Sequence, residues 1–187
     1  MKGENSVRLE NERIYLRNLR ESDAQTMLDS TKNEEMRYMT GTKHNFTLDQ
    51  IKNYIEKVKN DSSRYDFAIC LKGNDTTIGN ISILDINKED NKAGFRIALN
   101  TVDLTGKGYG TEAIKSVLPF VFDELKINRL QLEVYSHNLR GIRAYEKVGF
   151  VKEGVLRQSL LYNGTYSDEI IMAILREDYV NLLKGNL

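Results

Sequence analysis

A glycine-rich stretch contains the residues whose types and spacing most clearly suggest chemistry. Gly106, Gly108 and Gly110 stand at every second position, and an amphipathic run over residues 113–125 follows them. Glycine permits tight turns that bring successive backbone N–H groups close to a ligand. The N-terminus of the following helix would add unpaired N–H groups and the positive end of the helix dipole. The stretch therefore predicts a cradle for a phosphate or pyrophosphate; the alternative is a plain connection between two elements.

Further along the chain stands a second group of residues with motif-like spacing. Asn138, Tyr145, Gly149 and Phe150 form the pattern Asn-x-x-x-x-x-x-Tyr-x-x-x-Gly-Phe. A phenol such as that of Tyr145 can donate a proton as a general acid. Because Ala144 and Val148 lie near Tyr145 in the sequence, the alternative is a ring that packs on the core.

The two groups together resemble the GNAT superfamily of acyl-CoA N-acyltransferases. The resemblance rests on a glycine loop after a strand, then a helix, a strand and the Asn-to-Phe pattern, and it covers nearly the whole chain. Residues 16–24, 35–39 and 150–154 are similar to the RimJ/RimL-type branch, which includes ribosomal-protein N-terminal acetyltransferases and spermidine acetyltransferases. The resemblance implies that acetyl-CoA is the co-substrate.

The resemblance also implies where acetyl-CoA would bind. Its pyrophosphate would lie on the loop. Its pantetheine arm would pair like an extra strand with the end of the strand that immediately precedes the loop, and it would meet Asn138. The implied contacts are Ile97, Ala98, Leu99, Thr105, Gly106, Lys107, Gly108, Tyr109, Gly110, Thr111, Asn138, Ala144 and Lys147. The chain has Thr105 where the family usually has Arg or Gln, and Gly94 where it often has an acidic residue. The first difference should cost little, and the second removes one candidate base.

The implied reaction is direct attack of an amine on the thioester, with Tyr145 protonating the departing thiolate. The amine must be neutral, which costs about 4–5 kcal/mol at pH 7 for a lysine-like amine and about 1–1.4 kcal/mol for an α-amine. Glu133 and Glu153 are the candidate bases, and either could instead be a surface carboxylate.

The acceptor is expected to be the N-terminal amine of a protein or peptide. A polyamine or another small amine is the alternative, and residues 29–66 should determine the specificity by their position in the fold. A non-catalytic CoA-binding module is an alternative of a different class. A nucleotide-binding oxidoreductase is disfavoured, because Gly-x-Gly-x-Gly differs from the Gly-x-Gly-x-x-Gly spacing.

Composition limits the remaining possibilities. The 187 residues include 27 Lys plus Arg and 27 Asp plus Glu, so bulk charge does not favour a nucleic-acid partner. We expect one N-acetyltransferase domain over residues 1–187, in the cytoplasm and without membrane attachment, because no apolar run approaches a membrane span. Cys70 should be a buried hydrophobe, and no metal is expected, because His44 and His137 lack metal-ligand spacing. A homodimer is implied by the resemblance alone.

The elements that must position these residues form a mixed α/β pattern. The predicted order is β, α, α, β, β, β, α, β, α, β, β, and the resemblance implies a mostly antiparallel central sheet of about seven strands flanked by helices. Strands are predicted over residues 13–17, 66–71, 77–84, 93–100 and 130–135 and on either side of Asn163-Gly164. Helices are predicted after Ser22, after Thr47, after the loop and over residues 139–148. Pro119 should kink or break the helix after the loop.

Overall fold

A computed structural model describes residues 7–185 as a mixed α/β fold. Within that range the strands are β1 (Arg8–Glu10), β2 (Ile14–Asn18), β3 (Tyr65–Leu71), β4 (Thr77–Asn87), β5 (Lys92–Leu99), β6 (Arg129–Tyr135), β7 (Val151–Tyr162) and β8 (Thr165–Leu175). The α-helices are α1 (Ala24–Ser30), α2 (Glu34–Thr40), α3 (Leu48–Asn60), α4 (Tyr109–Pro119), α5 (Leu139–Lys147) and α6 (Arg176–Gly185).

The strands form one sheet in the order β1-β2-β3-β4-β5-β6-β8-β7. Every pair is antiparallel except β5 and β6. The sequence predicted about seven strands, and the additional one is the short edge strand β1, which pairs Arg8 with Arg17 of β2. The prediction of a mixed, mostly antiparallel α/β fold is confirmed.

Helices cover both faces of the sheet. On one face, α1 and α3 bury Leu28, Ile51 and Ile55 in a small cluster that contains Cys70, whose side chain is fully buried as predicted. On the other face, α4 and α5 join the larger core through Ile114 and Tyr145. The sheet is therefore a rigid support with helices above and below it.

Several turns and caps follow local sequence rules. Thr47 and Gln50 form the predicted capping box at the start of α3. Asn163 and Gly164 both have positive φ and join β7 to β8 in the predicted two-residue hairpin. The prediction that Ser22 caps α1 is wrong: Asp23 is the N-cap residue, and its buried carboxylate accepts hydrogen bonds from Arg17 and from the backbone of Arg20.

Pro119 changes the type of the helix without ending it. Its φ and ψ of −58° and −41° are helical, and a π-helical turn over Phe120–Glu124 continues directly from α4. Leu125 N donates to Phe120 O at 2.9 Å in the wider π pattern. Because proline has no N–H group, α-helical hydrogen bonding is interrupted at this point.

The parallel pair β5 and β6 diverges after a short contact. Lys92, Ala93 and Gly94 pair with residues of β6, and the remainder of β5 does not. That edge of β5 therefore leaves backbone groups unpaired beside a cleft, and this cleft is the feature that positions the site. No helix among the described residues combines the length and apolar character needed to cross a membrane.

Candidate active site

The cleft between β5 and β6 opens into a cavity of about 1300 Å³. Its floor is formed by the diverging strands, and its walls by residues of α1, α2, α3 and the loop between α2 and α3. Tyr54 of α3 and Met39 of α2 are among the lining residues, so parts of the 29–66 segment border the cavity, and their part in acceptor specificity stays a prediction.

The end of β5 lies along the cavity, and its use as a cofactor edge, which the family resemblance implies, stays a prediction. Ile97, Ala98 and Leu99 line the cavity and are half-buried. Their other edge is paired with β4, so the free edge faces β6. An extended amide-containing chain can add to such an edge through main-chain hydrogen bonds.

The glycine loop follows a short 3₁₀ turn, and its last three residues, 109–111, form the first turn of α4. Gly106 and Gly108 have φ of 72° and 85°, a region that glycine enters without strain. A Cβ atom built on Gly106 or Gly110 would meet no described atom within 4 Å, so the backbone is open to a ligand there. The loop, residues 105–111, lies outside the lining of the cavity.

Arg13 holds the glycine loop, a role that the sequence did not reveal. Its Nη1 donates to Lys107 O at 3.0 Å, and its Nε donates to Glu112 Oε2 at 2.8 Å. The guanidinium also lies 4.7 Å from the ring centroid of Tyr109. Because Arg13 is distant in sequence and carries no motif, only the pairing of β2 with the sheet brings it to the loop.

Tyr145 lines the cavity from α5, and its side chain is 8% exposed. Its ring packs against Phe95 and Phe150 at centroid distances of 6.4 and 5.8 Å. Within residues 7–185, its hydroxyl has no hydrogen-bond partner. Burial raises the pKa of Tyr145 to about 12, so the phenol keeps its proton at neutral pH. The ring thus belongs to the core, as one alternative predicted, whereas the hydroxyl is uncommitted; the role of Tyr145 as general acid stays a prediction.

Asn138 also lines the cavity, but its amide takes part in local structure. Its Oδ1 accepts a hydrogen bond from Gly141 N at 2.9 Å and caps α5. Its Nδ2 makes a long contact of 3.5 Å with Met39 O. Contact with a pantetheine arm stays a prediction.

The two candidate bases are joined by a chain of hydrogen bonds. Arg129 donates to Glu153 through Nη1 at 2.8 Å and through Nη2 at 2.5 Å. Nη2 also donates to Gln131 Oε1 at 2.9 Å, and Gln131 Nε2 donates to Glu133 Oε1 at 2.8 Å. We name these four side chains the carboxylate chain.

The two ends of the carboxylate chain differ in position. Glu133 lines the cavity, whereas Glu153 lies on β7 outside the lining. The hydrogen bonds from Arg129 hold the pKa of Glu153 below its usual value. A carboxylate so stabilised in its charged form is a weaker base.

Two other predicted contacts lie on α5 outside the cavity lining. Ala144 is half-buried and Lys147 is exposed. Contact between these two residues and the cofactor stays a prediction.

A further group of residues, missed at the sequence level, fixes α2 over the cavity. The rings of Tyr38 and His137 stack with centroids 3.9 Å apart, and His137 Nε2 donates to Tyr38 O at 2.8 Å. Glu35 of α2 forms an ion pair with Arg140 at the start of α5. These contacts join α2 to His137 and to the start of α5, the helix that carries Tyr145.

Comparison with known proteins identifies the family. Residues 13–151 match the acetyltransferase (GNAT) domain family. The chain is 34% identical over 129 residues to the probable N-acetyltransferase YjcK of Bacillus subtilis (strain 168), covering 69% of this chain and 71% of that protein. It is 30% identical to the SPbeta prophage-derived uncharacterized N-acetyltransferase YokL of the same organism, covering 90% and 93%.

A solved structure with a similar fold is that of spermidine N-acetyltransferase from Vibrio cholerae in complex with CoA and spermine. It superposes with a TM-score of 0.84 at 26% identity, covering 91% of this chain and 100% of that one. The family resemblance drawn from the glycine loop and the Asn-to-Phe pattern is thereby confirmed. The chain belongs to the GNAT family and is an acetyl-CoA-dependent N-acetyltransferase.

Proposed function

We propose that this enzyme transfers the acetyl group of acetyl-CoA to a primary amine by direct attack on the thioester, with Tyr145 as the general acid. The new bond joins the amine nitrogen to the carbonyl carbon, and the carbon–sulfur bond breaks. The Tyr145 proton passes to the departing thiolate. The observation that carries this proposal is the uncommitted hydroxyl of Tyr145 in the cleft between β5 and β6.

The proposed donor site uses backbone groups on two neighbouring segments. The free edge of β5 at Ile97 to Leu99 would bind the pantetheine arm, and a backbone N–H near Leu99 would stabilise the oxyanion. The pyrophosphate would lie at the glycine loop, where Gly106 and Gly110 leave the backbone open. Because both segments would bind acetyl-CoA through backbone groups, the side chain of Thr105 is not required for binding.

We propose Glu133 in preference to Glu153 as the group that accepts the proton of the amine. Arg129 only donates, so the Gln131 carbonyl faces Arg129 and the Gln131 amide faces Glu133. Oε1 of Glu133 is thus engaged, and Oε2 has no hydrogen bond within the described chain. That oxygen is available to an acceptor in the cavity, whereas both oxygens of Glu153 bind Arg129.

The acceptor class is proposed to be an α-amine, as at the N-terminus of a peptide. An α-amine needs about 1–1.4 kcal/mol to lose its proton at pH 7, a cost that one exposed carboxylate can help to meet. The Vibrio cholerae enzyme acts on spermidine, which supports a polyamine as the second candidate. Against the polyamine, cationic side chains line this cavity beside the acidic ones.

Steady-state CoA release with a panel of amines tests the proposed function. The panel should contain N-terminal peptides, amino acids, polyamines and aminoglycosides. Turnover with one class identifies the acceptor. Tight acetyl-CoA binding with no turnover for any amine would instead support a CoA-binding module without catalytic activity.

We also propose that the chain self-associates through β7, the outer strand of the sheet. Val151, Val155, Leu156 and Leu161 of this strand are exposed by 57%, 39%, 49% and 43%. An exposed apolar edge strand is a common site of pairing between chains. Sedimentation equilibrium tests the proposal, and a monomer at micromolar concentration would contradict it.

A further inference from the structure

The charged side chains that line the cavity are mixed in sign. Its carboxylates are Asp85, Glu133 and Glu169, and its cations are Arg37, Lys43, Lys92, Arg96 and Arg129. A cavity built for a polycation would carry an excess of carboxylates, because like charges disfavour binding. The cations in this cavity therefore require an explanation.

Most of these cations are engaged by the protein itself. Arg37 donates to the carbonyl oxygens of Thr31, Lys43 and His44. Lys92 pairs with Asp90 at 2.7 Å, and Arg129 forms its bidentate pair with Glu153. These three cations support local structure.

Arg96 is different, because its guanidinium has neither a hydrogen-bond nor an ion-pair partner across residues 7–185. The nearby carboxylate of Asp66 is already bound by Arg64, Tyr54 and Ser82. Lys43 is also unpaired in this range, but it lies in the loop between α2 and α3. Arg96 lies on β5, where pairing with Ser82 of β4 fixes its backbone.

The register of the sheet places Arg96 and Glu133 on one face. Lys92 pairs with Arg129 and Gly94 with Gln131, so the next alternate residues, Arg96 and Glu133, point to the same side of the diverging strands. Burial raises the pKa of Tyr54 to about 12 and also raises the pKa of Tyr135, and the charge of Arg96 opposes both increases. The charge of Arg96 therefore acts on Tyr54 of α3 and on Tyr135 of β6, on the side of the cavity that we propose for the acceptor.

We propose that Arg96 binds a carboxylate of the acceptor, so that the acceptor is an amine that also carries a carboxylate, as in an amino acid or a short peptide. This inference rests on the proposed acetyl transfer. A guanidinium forms two parallel hydrogen bonds with a carboxylate, which gives both affinity and orientation. With the acceptor carboxylate on Arg96, its ammonium group can face Glu133 across the cleft.

Pairs of acceptors that differ only in one carboxylate test this inference. Suitable pairs are lysine with cadaverine, ornithine with putrescine, and glycylglycine with glycylglycine amide, measured as kcat/KM for CoA release. The peptide pair is the sharpest, because its two amines have similar basicity. We expect the carboxylate-bearing member to be preferred about tenfold to a hundredfold, the usual value of hydrogen bonds to a charged group.

The Arg96→Gln variant separates recognition by Arg96 from the intrinsic reactivity of the amines. We expect it to remove the preference by raising KM for the carboxylate-bearing member more than for glycylglycine amide. Arg96→Lys should restore part of the preference. Arg157→Gln, at an exposed arginine on β7 outside the cavity, is the matched control and should leave the preference intact.

The outcomes separate this inference from the function on which it rests. Turnover with no preference, with a preference for the diamines, or with a preference that survives Arg96→Gln would overturn the role of Arg96 and leave acetyl transfer standing. No turnover with any acceptor, despite acetyl-CoA binding, would overturn the proposed function and this inference with it.

Discussion

The side-chain amide of Gln131 donates to Oε1 of Glu133 at 2.8 Å and so sets the direction of that carboxylate. Arg129 donates to the carbonyl oxygen of the same amide, which fixes the orientation of the Gln131 side chain. Glu153 in turn accepts hydrogen bonds from Arg129. In this arrangement, two acidic residues that the sequence offered as alternative bases take different roles. Glu133 lines the cavity in which we propose that the acceptor binds, and Glu153 anchors the carboxylate chain from outside the cavity.

Gln131→Leu should therefore lower kcat by about tenfold, because the volume is kept but the hydrogen bond that orients Glu133 is lost. KM for acetyl-CoA should not change, since Gln131 lies away from the glycine loop and from the free edge of β5. Steady-state kinetics with the acceptor found in the screen provide the measurement. Gln25→Leu, on the exposed face of α1, is the control. An unchanged kcat in Gln131→Leu would show that Glu133 needs no positioning.

Glu153→Gln should keep kcat within about threefold of wild type, since Glu153 is proposed to act only through Arg129. A fall of about a hundredfold, the size of a general-base effect, would assign the base to Glu153 instead.

The difference in unfolding free energy between wild type and Glu153→Gln should depend on pH. Arg129 lowers the pKa of Glu153 in the folded state. The ion pair therefore stabilises the fold fully at pH values above the pKa that Glu153 has in the unfolded chain. That stability is lost as the pH falls through the folded pKa. For a partly exposed pair the difference should be at most about 1 kcal/mol at pH 7. Urea titrations at pH 7 and pH 3 should show the difference between wild type and variant disappearing at the lower pH; a constant difference would contradict the linkage.

Arg13→Ala should raise the Kd for acetyl-CoA by about tenfold. The change removes the hydrogen bond to Lys107 O and leaves the Glu112 carboxylate without its guanidinium partner, held only by the backbone N–H at position 13, at the N-terminus of α4, where a phosphate is expected to bind. Isothermal titration calorimetry measures the effect, which should be larger at low salt. Arg8→Ala serves as the comparison. Arg8 is an exposed residue of the neighbouring strand β1 and forms an ion pair with Glu10. Equal affinities for both variants would remove Arg13 from the donor site.

Gly108→Val should weaken acetyl-CoA binding by about tenfold while the enzyme stays folded. Its φ of 85° disfavours a branched side chain, and the added Cβ would lie 3.2 Å from Arg13 Nη2. Gly73→Val is a matched control, because Gly73 has a φ of 98°, no described atom near the added Cβ, and a position in the turn between β3 and β4. Both variants should lose similar stability by thermal unfolding, and only Gly108→Val should lose affinity. Unchanged affinity would place the phosphate elsewhere.

Local sequence rules predicted the parts of the molecule that depend on short-range physics. The capping box at Thr47, the Asn163-Gly164 turn and the burial of Cys70 each follow from a few adjacent residues. The glycine loop and Tyr145 were found because they belong to a spaced pattern. Together, these features account for parts of the fold, the proposed donor side of the site and the candidate general acid.

The remaining features depend on contacts between distant segments. Helix α2 was not predicted, because it has no buried residue of its own and is held by stacking of Tyr38 on His137. The pairing of Arg129 with Glu153 requires β7 and β6 to lie on either side of β8, which a sequence pattern does not show. Asn138 was expected at the cofactor, and the cap that it forms on α5 became visible only once the start of that helix was known.

Turnover of the Tyr145→Phe variant tests the central claim most directly. The change removes only a hydroxyl that has no hydrogen-bond partner in the described chain, so packing against Phe95 and Phe150 should persist. Because the pKa of Tyr145 is raised to about 12, the wild-type phenol should remain a proton donor throughout the neutral range. We expect kcat for CoA release to fall by about a hundredfold or more, with the calorimetric Kd for acetyl-CoA unchanged. Wild-type turnover by Tyr145→Phe would contradict the assignment of Tyr145 as the general acid.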